Sequence, residues 1–117
     1  MLPRRQRITR GSDYVGVARR GRVFRGHLVM VRTLRNYGKC TRFGLVVSKA
    51  VGNSVVRNRI KRRLRGILRG VSVHQGWDIV ISARPGSASA SYISLESAVA
   101  GMFKQAELLI QGGPRTS

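Results

Sequence analysis

Between Ser48 and Arg69 the chain reads SKAVGNSVVRNRIKRRLRGILR, and no other stretch limits its possible folds as tightly. The apolar residues Leu45 to Val47 predict a strand end. Lys49-Ala50-Val51-Gly52 predicts a tight turn, with Gly52 suited to a backbone position needing positive φ. Asn53 or Ser54 can cap helix donors, so a helix should start near Asn53. At about 100° per residue, Val56, Ile60, Leu64, Ile67 and Leu68 gather into one apolar arc, while Asn58, Lys61, Arg62, Arg65 and Arg69 gather roughly opposite. One face packs and the other is cationic. Arg59 and Arg63 carry the charge round a flank, and no carboxylate lies between residues 14 and 77 to neutralise it.

A charge run on a helix is often only a solvated face. A solvated helix, however, usually mixes signs to gain Glu to Lys pairs, whereas Lys61 with Arg65, Arg65 with Arg69, and Arg59 with Arg63 are all repulsive at i,i+4. Phosphates complete such a pattern. The whole chain agrees: 117 residues carry 23 Lys plus Arg against 4 Asp plus Glu, a net charge of +19. Self-repulsion of that size points to a nucleic acid or an anionic surface as partner, and the excess of Arg over Lys favours bidentate phosphate contacts and stacking on bases.

Val56-Arg57-Asn58-Arg59-Ile60-Lys61-Arg62, followed by Leu64-Arg65 and preceded by Ser48-Lys49-Ala50-Val51-Gly52-Asn53-Ser54-Val55, resembles the RNR signature of the bacterial ribonuclease P protein subunit, and the likeness extends over nearly the whole chain. The resemblance implies an α+β fold in the order αβββαβα, ribosomal protein S5 domain 2-like, with a left-handed crossover around the RNR helix and a further short strand between Arg22 and Leu34. It implies that the catalyst is an RNA subunit which binds Mg²⁺ and cleaves precursor tRNA at the 5′ end of the mature tRNA. The protein would help to bind the 5′ leader and support metal binding by the RNA. Lys49, Arg57, Asn58, Arg59, Lys61, Arg62 and Arg65 match positions that face the catalytic RNA, and Arg69 extends the same cationic face. Arg57 projects near the apolar arc, which gives it a partly structural role. A leader cleft is implied between the first helix and the open sheet face, where aromatic side chains stack unpaired bases. Tyr14 matches the first such aromatic; Ala18 stands where many members place a second, and Arg32 where some have tyrosine.

The rest of the chain predicts one domain over 1–117. Residues 1–10, with Arg4, Arg5, Arg7 and Arg10, read as a mobile basic arm, and 111–117 as a flexible tail. Ser12-Asp13 should supply the cap and first-turn acid of a short helix to about Arg20, with Tyr14, Val17 and Ala18 on one side. Arg22 to Leu34 is β-rich, Arg35 to Lys39 is a turn, and Arg42 to Ser48 is a strand expected to pair antiparallel with the preceding one as a hairpin. Trp77 to Ala83 is a further strand, with Trp77 anchoring the core edge; Ala88 to Ser91 is small and flexible. A last helix from about Tyr92 to Leu109 carries Leu95, Val99, Met102, Phe103 and Ala106 on one stripe and ends at Gly112-Gly113-Pro114.

A protein-borne two-metal nuclease needs converging carboxylates. The four acids, Asp13, Asp78, Glu96 and Glu107, offer no such cluster, since the last two stand about 16 Å apart along one helix at 1.5 Å per residue. No catalytic residue and no metal held by protein side chains alone is therefore expected. Cys40 with His27 and His74 has no zinc-ligand spacing. With neither a signal-peptide core nor a bilayer-length apolar run, a soluble cytoplasmic protein without membrane or DNA partners is expected. A structural RNA-binding protein of ribosomal type would share the charge and size, and the RNR spacing is what argues against it.

Overall fold

The computed structural model of the chain describes residues 6–38 and 40–109. Its elements are α1 (Gly11–Arg20), β1 (Arg22–Arg25), β2 (Val29–Arg35), β3 (Arg42–Val47), α2 (Ser54–Arg69), β4 (Trp77–Ala83) and α3 (Tyr92–Gln105), the order αβββαβα, with a short 3-10 turn at Pro85–Ser89. The extra strand implied before Leu34 is β1.

The four strands form one sheet in the order β1-β2-β4-β3. The hairpin expected between β2 and β3 is absent: β2 pairs antiparallel with β4, and β3 pairs parallel with β4. The reason lies in β4, where Asp78 to Ile81 and Ala83 are all buried. A strand buried on both faces belongs in the middle of a sheet. The α2 crossover brings β4 back parallel to β3 and inserts it between its two predecessors.

Alternation along the strands gives the sheet two different faces. Phe24, Val29, Val31, Phe43, Ile79 and Ile81 form one face and pack against Ile60, Leu64, Ile67 and Leu68 of α2 and Leu95, Val99 and Phe103 of α3. Each fully buried side chain of this kind stabilises the fold by about 1.5–3 kcal/mol. The opposite face is covered only in part, by α1 through the small cluster of Ile8, Val17 and Val80 with Tyr14 and Leu34 against it.

Three expected boundaries move. Ser12 is not the cap of α1: the helix begins at Gly11, its N-cap position is Arg10, and no side chain caps it. Asp13 does lie in the first turn, and the weak helix is held by burial of Val17. The basic arm is docked from Gln6 onward, because Ile8 is buried and its N–H donates to the Phe43 carbonyl at 2.8 Å; Arg4 and Arg5 lie outside the described residues. Finally, α3 stops at Gln105 rather than Leu109. Leu108 would point about 140° away from Phe103 in a continued helix, and it reaches the core only if the helix breaks. Glu107 takes φ 59°, its N–H donates to the Lys104 carbonyl at 3.0 Å, and the Leu108 N–H donates to Phe103 at 2.9 Å. This is the paired hydrogen-bond pattern of a left-handed helix stop. It also removes Glu107 from the helix face it was expected to share with Glu96. Gly112 to Pro114 and the 111–117 tail lie outside the described residues. Ala88 and Ser89, expected to be irregular, belong to the 3-10 turn.

Candidate nucleic-acid interface

The cationic helix is set by its entry turn. In Ser48–Gly52 the Val51 N–H donates to Ser48 at 3.1 Å and the Gly52 N–H to Lys49 at 3.2 Å. A Cβ on Gly52 would sit 2.9 Å from the Val56 Cγ1, so only glycine lets the turn lie this close to the first helical turn. Asn53 then caps α2, its side chain accepting from the Val56 N–H at 3.0 Å.

With the helix fixed this way, Ile60, Leu64, Ile67 and Leu68 are buried and Val56 is partly buried against the core. Lys49, Asn58, Arg62 and Arg69 are exposed; Arg57, Arg59, Lys61 and Arg65 are partly buried. Arg69 sits in the last turn, where the helix dipole favours a cation. Two arginines on the flank have protein partners that periodicity did not reveal: Arg59 donates to the Ala88 carbonyl at 3.2 Å and Arg63 to the Ala90 carbonyl at 3.0 Å. They tie the 3-10 turn to α2. Among the described residues the Nε of Arg57 is buried without an acceptor, and its Nη2 donates to the Ser54 hydroxyl at 3.4 Å.

On the other face of the sheet, the register places Val23, Arg32, Val80 and Gly44 in one row and Arg25, Met30, Ser82 and Val46 in the next. Between these rows and α1 lies an open cleft of about 280 Å³ lined by Tyr14, Val15, Ala18, Arg32, Val46 and others. Tyr14 and Arg32 are thus brought to one site. The Nε of Arg32 is buried and has no acceptor among the described residues. Val15 and Val46 are 50% and 41% exposed, so the cleft presents apolar walls to solvent. Tyr14 packs against the sheet at Gly44, where a Cβ would stand 2.6 Å from its Cε1. Its hydroxyl also reaches the Ile8 carbonyl at 3.4 Å. On its other side it lines a second groove of about 200 Å³ with Arg7, Thr9, Lys61 and Arg65. One tyrosine therefore joins the cleft to the cationic face of α2.

The family model for ribonuclease P matches residues 2–107. The chain belongs to the ribonuclease P protein family. The ribonuclease P protein component of Dehalococcoides mccartyi is 39% identical over 111 residues, covering 95% of this chain and 92% of that protein. That of Beutenbergia cavernae is 42% identical over 104 residues, covering 86% and 87%. Among solved structures, the Staphylococcus aureus RNase P protein at 2.0 Å superposes with a TM-score of 0.82 at 25% identity, covering 90% of this chain and 98% of that one.

For a ribonuclease P protein the fate of the four carboxylates matters, because they decide whether the protein could hold metal. Asp78 is buried and accepts from Arg42 Nε at 2.9 Å, Arg42 Nη2 at 2.7 Å and Asn36 Nδ2 at 2.8 Å. Asp13 meets Arg42 Nη1 at 3.3 Å. The hydrogen bond to Asp78, reinforced by the charge of both acids and opposed by burial, raises the Arg42 pKa above its ordinary value. Two acids thus form a clamp between α1, β3 and β4, while Glu96 and Glu107 are exposed singly. Among the described residues no three potential metal ligands converge.

On the ribonuclease P protein surface, Thr9 and Val46 escaped the sequence reading, and Arg7 was read only as part of a mobile arm. Arg7 and Thr9 line the groove because Ile8 is docked; one apolar residue in a basic arm was the available signal. Val46 walls the cleft because β3 is an edge strand, a fact hidden by the assumed hairpin. Ala18, where a second aromatic was sought, is exposed on the cleft rim and leaves that wall apolar but without a ring.

Proposed function

We propose that the chain works as the protein subunit of ribonuclease P, binding the catalytic RNA on α2 and the 5′ leader of precursor tRNA in the cleft, so that the RNA removes the leader. The observation that carries this reading is the placement of Tyr14, which lines both the cleft and the groove that holds Lys61 and Arg65. An RNA on the cationic helix and a single strand in the cleft then meet along one continuous surface.

The residues divide the work. Lys49, Asn58, Lys61, Arg62, Arg65 and Arg69 meet phosphates of the catalytic RNA, with Arg57 and Arg59 doing so alongside their structural contacts. In the cleft, the Tyr14 ring stacks on an unpaired base, which tolerates any sequence. The unpartnered Nε of Arg32 supplies a donor to a leader phosphate or base carbonyl. The cleft is open and at the small end of ligand pockets, which suits a strand passing through rather than an enclosed small molecule. Mg²⁺ belongs to the RNA and its substrate. The protein contributes position, and alone it is inactive. No described helix is long and apolar enough to cross a membrane, and we place its work in the cytoplasm.

Reconstitution with the catalytic RNA tests this. The pair should cleave precursor tRNA where the protein alone does not. Replacing Arg62 and Arg65 by alanine should weaken assembly and reduce its log-log salt slope by about 0.7–0.9 per lost phosphate contact, with native circular dichroism. An unchanged slope would mean that these arginines are only solvated.

A further inference from the structure

At the far end of β2, outside both the helix face and the cleft, Arg35 lies between two aromatic rings, its guanidinium carbon 5.1 Å from the Tyr37 ring centre and 5.2 Å from that of Trp77. Trp77 is partly buried against the core, whereas Tyr37 is 83% exposed. Tyr37 also holds φ 56°, a left-handed conformation that a tyrosine adopts at a cost and a glycine or asparagine would adopt readily. That cost has no return in buried surface.

The loop is nonetheless built to hold it. Asn36 donates from Nδ2 to the buried Asp78 at 2.8 Å and to the Cys40 carbonyl at 3.1 Å, its Oδ1 accepts from the Gly38 N–H at 2.7 Å, and its own N–H donates to Gly76 at 2.8 Å. These four bonds bracket Tyr37 and anchor the loop to the sheet and to the segment that leaves α2 after Arg69. A strained, exposed aromatic kept in place by a rigid frame, with a cation stacked behind it, is a surface for a flat, electron-rich group.

We propose that Tyr37, backed by Arg35, is a stacking platform for an unpaired nucleobase of the catalytic RNA. The RNA source follows from placement: Arg35 and Trp77 share a face with Thr33, Val31 and Ile79, on the side of the sheet that carries α2, and the cleft is on the opposite side. Stacking on an aromatic and an arginine is how proteins grip splayed bases. The inference rests on the function proposed above and adds a contact to it.

The test measures binding of the catalytic RNA to the full chain carrying Tyr37→Phe, Tyr37→Ala or Tyr37→Gly, alongside melting curves and photo-cross-linking with bromouridine-substituted catalytic RNA. Expected are wild-type binding for Phe, a loss of about 5- to 140-fold for Ala and Gly, an unaltered salt slope, and a cross-link at Tyr37. Tyr37→Gly should melt above the wild type, since the strain is relieved. Unchanged binding by the Ala variant, while the wild type assembles normally, overturns the platform and leaves the proposed function standing. So does a loss confined to precursors bearing a leader, a Phe variant as weak as Ala, or a Gly variant that melts low. Failure of the wild type to bind the catalytic RNA at all removes both.

Discussion

Asp78 offers the sharpest test of whether the acids of this protein hold its structure or its chemistry. Its side chain is 7% exposed and takes three charge-assisted or amide hydrogen bonds between 2.7 and 2.9 Å. Truncation to alanine strands the Arg42 guanidinium and leaves Asn36 one acceptor short. Breaking a fully buried pair costs about 3–5 kcal/mol, but Arg42 is 30% exposed and water can reach it, so about 2–3 kcal/mol is expected. Asp13 meets the same arginine once, at 3.3 Å, with both side chains 30% exposed. Its loss should cost no more than about 1 kcal/mol. For a domain of this size each kcal/mol shifts the melting temperature by roughly 3–6 °C, so Asp78→Ala should lower it by roughly 6–18 °C and Asp13→Ala by a few degrees.

Circular dichroism melting of the free protein, paired with cleavage by the reconstituted holoenzyme at a temperature where both variants are folded, reads both quantities. Cleavage should survive. Equal melting losses would refute the clamp, and abolished cleavage at native stability would place a metal-binding carboxylate in the protein. The pH dependence follows from Arg42, whose folded pKa is raised above its ordinary value, chiefly by the hydrogen bond to Asp78. A raised pKa gives stability that is fully present below the unfolded value and is lost only as pH climbs through the folded one. The melting difference between wild type and Arg42→Met should therefore be flat between about pH 6 and about pH 9.

Tyr14→Ala should lose about 1–3 kcal/mol of binding for precursors with a leader and none for mature tRNA; Gly44→Ala, whose methyl would displace the ring, should reproduce that pattern in the same assay. Glu107→Gly should raise thermal stability by about 0.5–1 kcal/mol, the relief of a left-handed residue less the entropy of glycine, and a lower melting temperature would contradict the helix stop. Arg59→Ala should cost about 1 kcal/mol of stability through the lost bond to Ala88 as well as RNA affinity, while Arg62→Ala should change affinity alone; melting and binding curves of the two variants separate these roles.

What could be read from the sequence was local. The faces of α2 follow from a 3.6-residue period and the cap at Asn53, and both are as expected because apolar and charged residues segregate strongly there. The bounds of β4 were equally plain. Strand order was not, since adjacency in sequence favours a hairpin and only the two-sided burial of β4 places it at the centre. The clamp was illegible for a related reason: Asp13, Asn36, Arg42 and Asp78 come from four separate segments and meet only once the sheet is assembled. The end of α3 was missed because a buried Leu108 outweighs the cost of a non-glycine left-handed residue. Of the candidate site, Tyr14 and Arg32 rested on family likeness, and only the register shows that they face the same cleft.

The described residues contain two ion pairs, and both use Arg42. Among the described residues no cation of α2 takes part in an ion pair, so the free protein folds against its own repulsion. Salt acts on that repulsion within a Debye length of about 10 Å at 0.1 M, a distance comparable to one or two helical turns. Raising ionic strength should therefore steady the free protein while it weakens the proposed hold on RNA, because under that proposal the same cations supply both effects with opposite sign. RNA that binds only the folded chain adds stability that grows with the logarithm of its concentration. At low salt, where self-repulsion is greatest, that linkage is also strongest. Under the proposed function, the helix whose charge strains the free chain is also the element through which bound RNA would stabilise it.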